Sequence, residues 1–200
     1  MPATRSKYPK FANFGELLYW SYANLQMLVF ALQKGKAKYD TSCFMIRAKA
    51  FKAYKDGRWT IRDLMQFNVS KIRNNDFCWY CGCELPPSEL TIDHVFPRSK
   101  GGDNNMDNIM MVCKSCNSSK GNMDLFQWYC VVRQTFPPIP VATHYLKNIY
   151  LYAVEHDLMG KHSDEIDSMD LPFNWRFIPL EYPEPDWYYE DEAEDKTNPK

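Results

Sequence analysis

Two Cys-x-x-Cys pairs constrain this chain of 200 residues more than any other feature, because they bring four thiols to the spacing of a metal site. Cys78 and Cys81 form the first pair, and Cys113 and Cys116 form the second. Zn²⁺ prefers four tetrahedral thiolate or imidazole ligands, and a site closed by four thiolates leaves no position for water. We therefore expect these four residues to bind a structural zinc. Cys83 is a surplus thiol that lies close enough in sequence to replace Cys81. We favour Cys81 as the ligand, because two residues between the cysteines of a pair make the usual zinc knuckle.

The N-terminus and the other cysteines favour a protein of a reducing compartment. Residues 1–10 are polar and lack the apolar run that follows a basic start in a secretory signal. Paired cysteines are then more typical of metal ligands than of disulfides, and we expect a cytoplasmic protein. Cys43 and Cys130 lie within apolar helical patterns and are interpreted as core residues. The apolar stretch 17–32 is short and contains three polar residues, which favours a buried helix over a membrane span.

Charge is distributed unevenly along the chain, although the net charge is only −1. Residues 1–120 contain 18 lysines and arginines against 10 aspartates and glutamates, whereas residues 121–200 contain 6 against 15. A basic half is what a polyphosphate partner requires. Between Arg47 and Arg73, eight basic residues accompany two acidic ones. That run is either a solvated helical face or a surface that contacts phosphates, and the sequence leaves both open.

Hydrophobic periodicity and turn residues predict a mostly helical α+β chain. The predicted helices are 14–33, 41–54, a third after Thr60 with apolar positions up to Ile72, 113–120, 123–136 and 143–158. The predicted strands are 91–95 and 109–112, with a turn at 101–104 between them. Thr41 or Ser42 is expected to cap the second helix, and Thr143 the last one.

Beyond residue 160 the chain loses periodicity and is interrupted by prolines. We interpret this segment as an arm that wraps the surface, in which Trp175, Phe177 and Ile178 could dock, followed by disorder. The stretch 181–195 is strongly acidic. It is either a solubilising tail or a cover that mimics DNA charge over the basic surface until it is displaced.

A dense run of polar side chains around the second cysteine pair has the chemistry of phosphodiester hydrolysis. Such cleavage needs a base that deprotonates water and a cation that neutralises charge on the phosphate and the leaving oxygen. Histidine, with an ordinary pKa of about 6.5, is the natural base at neutral pH, and hard oxygen ligands hold a divalent ion. Asp93 and His94 offer both, but adjacent residues of a strand face opposite directions. They can share a site only if the strand ends or twists there.

The residues of this run follow one recognisable pattern. They are Asp93, His94, Pro97, Ser99, Gly101, Gly102, Asn108, Cys113, Cys116, Asn117 and Lys120. The pattern resembles the HNH endonuclease family, and in particular its zinc-stapled members with a ββα-metal core. The resemblance covers about residues 77–124 and says nothing of residues 1–70 or 140–200.

The resemblance implies a catalytic role for four of the matching residues. His94 would be the general base, and Asp93 would ligate a catalytic Mg²⁺ or Mn²⁺. Asn117 stands in the place of the last family histidine and would be the second protein ligand, with an oxygen that suits a hard cation. Asn108 would orient the loop that carries His94. The candidate contacts to the nucleic-acid backbone, by position and charge alone, are Arg98, Lys100 and Lys120.

The expected architecture is a small zinc-stapled ββα-metal core flanked by N-terminal and C-terminal helices. The predicted regions are a basic helical region 1–75, the HNH core 76–124, C-terminal helices 125–160 and a proline-containing acidic tail 161–200. The flanking helices could also support a homodimer or bind a protein partner.

Two functions are compatible with these residues. The first is a metal-dependent endonuclease that hydrolyses DNA, with His94 as the base and one catalytic divalent ion. The alternative is a non-catalytic zinc module that binds nucleic acid or a protein partner. This alternative accounts for the cysteines and the basic run, but it has no need for Asp93 and His94 together with two asparagines.

Overall fold

The computed structural model describes residues 10–62 and 76–188 of the chain. These residues form a mostly helical α+β fold with one two-stranded antiparallel sheet, which confirms the predicted class. The strands are β1 Leu90–His94 and β2 Ile109–Cys113. The α-helices are α1 Phe14–Gln33, α2 Thr41–Lys55, α3 Lys114–Lys120, α4 Leu125–Trp128, α5 Ile139–Glu155 and α6 Ser163–Asp167. The predicted helix after Thr60 falls on residues outside the described part of the chain.

Short helical turns complete the secondary structure. Single 3₁₀ turns cover Pro87–Glu89, Arg98–Lys100, Met106–Asn108 and Trp175–Phe177, and a π-helical turn covers Tyr129–Arg133. Within residues 10–62 and 76–188, no helix combines the length and the apolar character that crossing a bilayer requires.

Contacts divide the chain into two compact units. The first contains the described residues of Met1–Leu18 and Ile61–Ile178, and the second contains those of Tyr19–Thr60 and Pro179–Lys200. The regional boundaries predicted at 75, 124 and 160 follow motif and composition rather than contacts, and they stay a prediction.

The hairpin of β1 and β2 is the framework of the first unit. Its strands pair in antiparallel register, with Asp93 opposite Met110. Met110 and Val112 are fully buried, as expected for alternate side chains of a strand with one face on the core. The helix α3 begins directly after β2, so the hairpin and the helix form one ββα unit.

An aromatic cluster holds the segment that follows β1. The ring of Phe96 meets Tyr145 of α5 edge to face at a centroid distance of 5.6 Å, and it packs against Phe173 at 5.8 Å. Tyr145 and Phe173 are themselves buried. Because aromatic side chains bury about 150–250 Å² each, this cluster fixes the chain after β1 against α5.

The start of α5 differs from the prediction. Thr143 was expected to be its N-cap, but the helix begins at Ile139, with Pro138 as the N-cap residue. Thr143 is buried inside the first turns, and its hydroxyl donates to the Ile139 carbonyl oxygen at 2.8 Å. Pro140 is tolerated in the first turn because a helix leaves its first N–H groups without an intrahelical partner.

The cap of α2 also differs from the prediction, by one residue. Asp40, rather than Thr41 or Ser42, is the N-cap, and its carboxylate accepts the Cys43 N–H at 3.1 Å. The Ser42 hydroxyl donates to the same carboxylate at 2.6 Å. A charged acceptor at the helix N-terminus is favoured by both the orphan N–H groups and the helix dipole.

The two cysteines predicted to be core residues have different environments. Cys43 is fully buried on α2, which confirms the prediction. Cys130 is exposed, so its prediction is wrong. It lies in the π-helical turn Tyr129–Arg133, where only Tyr129 remains buried and the next residues face solvent.

The segment beyond residue 160 contributes to each unit in turn. In the first unit it forms α6, which the sequence did not predict, and Trp175 and Ile178 are buried as expected, with Phe177 half-buried. The predicted disordered end falls on residues beyond 188, outside the described part of the chain.

Residues 179–188 form an arm that completes the second unit. Tyr182 is buried, and its hydroxyl lies 3.5 Å from Oγ of Ser21 on α1. The Tyr39 hydroxyl donates to the Pro183 carbonyl oxygen at 2.7 Å, and the Tyr39 N–H donates to Glu184 at 2.8 Å. The arm therefore packs on the helices of its own unit through one buried ring and several backbone contacts.

Replacing Tyr182 with alanine should destabilise the second unit by about 3 kcal/mol, because a buried aromatic ring leaves a cavity when it is truncated. Urea unfolding followed by circular dichroism measures the change. The matched variant Tyr182→Phe keeps the buried ring and removes only the hydroxyl, so it should stay within about 1 kcal/mol of the parent. Equal stability of the alanine variant and the parent would show that the arm contributes no packing energy.

Candidate functional site

Asp93 and His94 occupy the end of β1, where the strand leaves the hairpin. Asp93 is buried, and its Oδ2 lies 2.8 Å from Nζ of Lys120 on α3. His94 is half-buried, and its Nε2 lies 2.7 Å from Oδ1 of Asn104 in the loop that follows. The Lys120 ammonium also donates to the His94 carbonyl oxygen at 3.0 Å. The strand end thus brings the acid and the histidine to one basic group, although their side chains leave the strand on opposite faces.

One oxygen of the Asp93 carboxylate accepts two donors. The Tyr80 hydroxyl donates to Oδ2 at 2.6 Å, in addition to the Lys120 ammonium. Burial raises the pKa of Tyr80 well above its ordinary value, and the Asp93 charge adds to the shift, so the hydroxyl keeps its proton and donates. Among the described residues no hydrogen bond reaches Oδ1 of Asp93. This second oxygen is therefore the atom that the carboxylate can offer to a cation.

Lys120 does not lie where its predicted contact with nucleic acid requires. It is 2% exposed, and its ammonium is engaged by Asp93 and by the His94 carbonyl oxygen. The reason is that a buried carboxylate needs a counter-charge, and the last turn of α3 is the place from which a lysine can supply it. Arg98 and Lys100, the other two predicted contacts, are exposed on the 3₁₀ turn that follows Pro97.

Asn117 is fixed to β1 through the nitrogen of its carboxamide. Its Nδ2 donates to Oγ1 of Thr91 and to the carbonyl oxygen of Ile92, both at 3.0 Å. The Thr91 hydroxyl in turn donates across the hairpin to the Val112 carbonyl oxygen at 3.0 Å. Because both amide donations go to the strand, Oδ1 is the atom that Asn117 can offer to a cation.

Asn108 is buried and holds the loop that follows His94. Its Oδ1 accepts the Phe96 N–H at 2.7 Å, and its Nδ2 donates to the carbonyl oxygens of Phe96 at 3.1 Å and Asp103 at 2.8 Å. Its own carbonyl oxygen accepts the Val95 N–H at 2.9 Å. The side chain therefore ties the first residues after β1 to the far end of the loop, which is where the role expected for Asn108 would require it to lie.

Helix α5 supports that loop from outside through Asp107. The Asp107 carbonyl oxygen lies 2.6 Å from Nε2 of His144 and accepts Nδ2 of Asn148 at 2.7 Å. Its carboxylate pairs with the Lys147 ammonium at 3.2 Å. These contacts tie the end of the loop to α5, with the buried His144 and Asn148 both on the Asp107 carbonyl oxygen.

Sequence patterns alone did not identify two residues of the site, Tyr80 and Asn104. Tyr80 lies between two cysteines of the first pair and has the appearance of a knuckle residue, so nothing in its local pattern indicates a bond to Asp93. Asn104 falls in a loop of glycine, aspartate and asparagine residues, a composition that predicts only a turn. The polar residues of α5 at positions 144, 147 and 148 do share one helix face, and that spacing was the available signal for the contact with Asp107.

Five thiols converge beside the hairpin. The sulfurs of Cys78, Cys81, Cys83 and Cys113 all lie within 4.8 Å of one another. Hydrogen bonds from the thiols of Cys116 and Cys78 lower the pKa of Cys81 to about 3, so Cys116 also belongs to the cluster. All seven cysteines of the chain are free thiols, and a donor set made only of sulfur suits zinc better than it suits a hard cation.

The cluster differs from the predicted ligand set in one residue. Cys83, which the sequence placed as a surplus thiol, lies within the group of four close sulfurs, whereas Cys116 does not. Cys116 is buried and Cys83 is exposed. The Cys116 N–H donates to the Cys113 sulfur at 3.4 Å, which ties the second pair together at the start of α3.

A β-hairpin followed directly by a helix, with a thiol cluster on one side and an acid–histidine pair at the strand end, is a ββα-metal arrangement. The sequence model of the HNH endonuclease family matches residues 78–124. Residues 78–124 of this chain therefore form an HNH endonuclease domain.

Two curated relatives match about a third of the chain each. The CRISPR-associated endonuclease Cas9 of Corynebacterium diphtheriae is 37% identical over 73 residues, which are 36% of this chain and 7% of the relative. The CRISPR-associated endonuclease Cas9 of Actinomyces naeslundii is 36% identical over 75 residues, which are 37% of this chain and 7% of the relative. The chain thus spans a small fraction of the length of these relatives. No solved structure matches the chain.

Gly102 should be indispensable to the loop that Asn108 holds. A Cβ at this position would lie 1.9 Å from the Phe96 carbonyl oxygen and 2.9 Å from Nδ2 of Asn108, so Gly102→Ala must displace the backbone next to His94. We expect it to lower the melting temperature by several degrees, for a loss of about 2 kcal/mol or more.

Gly101→Ala is the matched control for that variant. Gly101 has a positive φ of 87°, but a Cβ there meets nothing within 4 Å, so only backbone strain of about 1 kcal/mol is expected. Thermal unfolding of both proteins separates a steric clash from strain. A larger loss for Gly101→Ala than for Gly102→Ala would contradict the close approach.

Proposed function

We propose that this chain is a metal-dependent endonuclease that hydrolyses DNA, with His94 as general base and one catalytic divalent ion. The observation that carries the proposal is the match of residues 78–124 to the HNH endonuclease family, within which Asp93 and His94 end β1 and Asn117 of α3 is hydrogen-bonded to the same strand. The relatives of this segment are named as endonucleases, which agrees with hydrolysis of a phosphodiester.

The tautomer of His94 supports its role as a base. A carboxamide oxygen can only accept a hydrogen bond, so the contact at 2.7 Å between Nε2 and Oδ1 of Asn104 places the ring proton on Nε2. The other nitrogen, Nδ1, then carries the lone pair that can take a proton from water. Asn104 thereby orients the ring and, in the neutral imidazole, leaves the lone pair on Nδ1.

Asp93 and Asn117 are the residues that would hold the divalent ion. Both have their other polar atoms occupied by protein donors or acceptors, which leaves one carboxylate oxygen and one carboxamide oxygen. Oxygen donors of this kind suit Mg²⁺ or Mn²⁺. When bound, such an ion neutralises charge on the phosphate and stabilises the leaving oxygen.

We propose that the thiol cluster holds a structural Zn²⁺ through Cys78, Cys81, Cys113 and Cys116, with Cys83 as the surplus thiol. Cys116 is buried and its N–H donates to the Cys113 sulfur, whereas Cys83 is exposed. A zinc site of this kind contributes roughly 10–16 kcal/mol of binding free energy, which would stabilise the local fold. Ligation by thiolates requires a reducing compartment such as the cytoplasm.

Contacts with the DNA backbone are proposed for Arg98 and Lys100. Both are exposed on the turn after Pro97, a few residues from the histidine. The basic excess of residues 1–120 favours an anionic partner more generally. The buried Lys120 is assigned to Asp93 and not to the DNA.

Replacing Cys116 with serine should abolish zinc binding, whereas Cys83→Ser should retain one zinc per chain. The reason is that a tetrahedral site needs four thiolates, and the buried thiols form it in this proposal. Inductively coupled plasma mass spectrometry on the purified proteins measures the zinc content. Loss of zinc from the Cys83 variant alone would assign the fourth ligand to Cys83 instead.

His94→Ala should reduce cleavage of supercoiled plasmid DNA by about 10²–10⁴-fold, because a general base contributes that much to proton transfer. The assay uses Mg²⁺ or Mn²⁺, with a chelator control, and zinc content reports an intact fold. His156→Ala is the matched control, since His156 is exposed and stacks on Tyr152 at 3.8 Å.

Two outcomes would change the assignment. Undiminished cleavage by the His94 variant would remove this histidine from the mechanism. Retained DNA binding by a parent protein that cuts with neither metal would favour the alternative, a non-catalytic zinc module that binds nucleic acid.

A further inference from the structure

We propose that Tyr80 is a positioning residue for the catalytic ion, which it affects by fixing the orientation of the Asp93 carboxylate together with Lys120. The inference rests on the proposed function, because it concerns the ion that Asp93 would ligate. Tyr80 lies outside the residues that carry the HNH pattern, and the contact with Asp93 assigns it this role.

The contact geometry selects one oxygen of the carboxylate. Tyr80 donates to Oδ2 of Asp93 at 2.6 Å and Lys120 donates to the same atom at 2.8 Å. A carboxylate with two donors on one oxygen cannot rotate without losing both, so its other oxygen is held in one direction. Second-shell donors of this kind fix the orientation of a metal ligand before the metal arrives.

Tyr80 is itself held firmly. It is 1% exposed, and its ring packs against Trp128 at a centroid distance of 5.4 Å and against Tyr129 at 6.2 Å. The Tyr129 hydroxyl donates to the Tyr80 carbonyl oxygen at 2.7 Å. Ring, backbone and hydroxyl are all constrained, so the donor reaches Asp93 from a single position.

Both donors to Asp93 come from segments that carry the thiol cluster. Tyr80 lies between Cys78 and Cys81, and Lys120 ends the helix whose N-cap is Cys113. Each cysteine pair is therefore linked to the Asp93 carboxylate through one side chain, that of Tyr80 for the first pair and that of Lys120 for the second. In the proposed function, the segments that hold the structural zinc would therefore also fix the orientation of Asp93, a ligand of the catalytic ion.

A purely structural explanation is that Tyr80 only satisfies a buried carboxylate. The two explanations differ in what the hydroxyl changes. If it only stabilises the fold, its loss lowers stability and leaves the metal dependence of the folded protein unaltered. If it positions Asp93, its loss weakens the binding of the ion.

The test is Tyr80→Phe, which keeps the buried ring and removes the hydroxyl. Cleavage is measured across a Mn²⁺ titration, and Mn²⁺ binding is measured separately by electron paramagnetic resonance without DNA. We expect the half-saturating Mn²⁺ concentration to rise about tenfold or more in both measurements. Cleavage at saturating Mn²⁺ should stay within about threefold of the parent, with unchanged zinc content.

Tyr145→Phe is the matched control. Its hydroxyl also donates to a buried carboxylate, that of Asp124, which lies outside the site. We expect its Mn²⁺ titration to match that of the parent. Parent-like titrations for Tyr80→Phe would overturn the inference, and so would an equal shift in both variants, which would indicate a general loss of stability.

The binding measurement separates this inference from the proposed function. If the parent binds Mn²⁺ but does not cleave DNA, the nuclease proposal fails, and the difference in Mn²⁺ affinity between the parent and Tyr80→Phe still decides the role of Tyr80. If the parent cleaves DNA and the affinities are equal, only the role of Tyr80 fails.

Discussion

The buried ion pair between Asp93 and Lys120 is the interaction on which the site depends. Taking two charges out of water costs several kcal/mol per ion, so such a pair persists only when further hydrogen bonds satisfy its remaining atoms. Here the Tyr80 hydroxyl adds a donor to Asp93, and the His94 carbonyl oxygen gives the ammonium a second acceptor. The same contacts that make the burial of charge tolerable also bring the acid and the histidine into one small network. Stability and the geometry of the site are therefore inseparable at this point of the fold.

Two independent supports meet at the end of β1. On one side, the thiol cluster fixes the hairpin and α3, which carry Asp93 and Asn117. On the other side, Asn108 and α5 fix the loop that carries Asn104, the partner of the His94 ring. In the proposed function, the ligands for the cation would therefore come from one support, and the orientation of the base from the other.

The features that were predictable from the sequence are those set by local spacing. Each cysteine pair, each strand and α3 is indicated by residues that lie within a few positions of one another. The bounds of both strands and of α3 in the structure differ from the predicted ones by about one residue. The placements that were not predictable depend on contacts between distant residues. Tyr80 meets Asp93 across 13 positions, and Lys120 meets the His94 carbonyl oxygen across 26. A lysine at the end of a short polar helix has the pattern of a surface residue, and only the buried carboxylate opposite explains why it lies inside.

The second compact unit is assembled from segments at opposite ends of the described chain. Residues 19–60 supply its helices, and residues 179–188 supply the arm that bonds to Trp20 and Tyr39. Most of the other unit is encoded between them. During translation, the residues of the HNH domain leave the ribosome and can fold before the arm has been made, because domains generally fold as units during synthesis. The second unit can be completed only after the arm, with its buried Tyr182, has been synthesised.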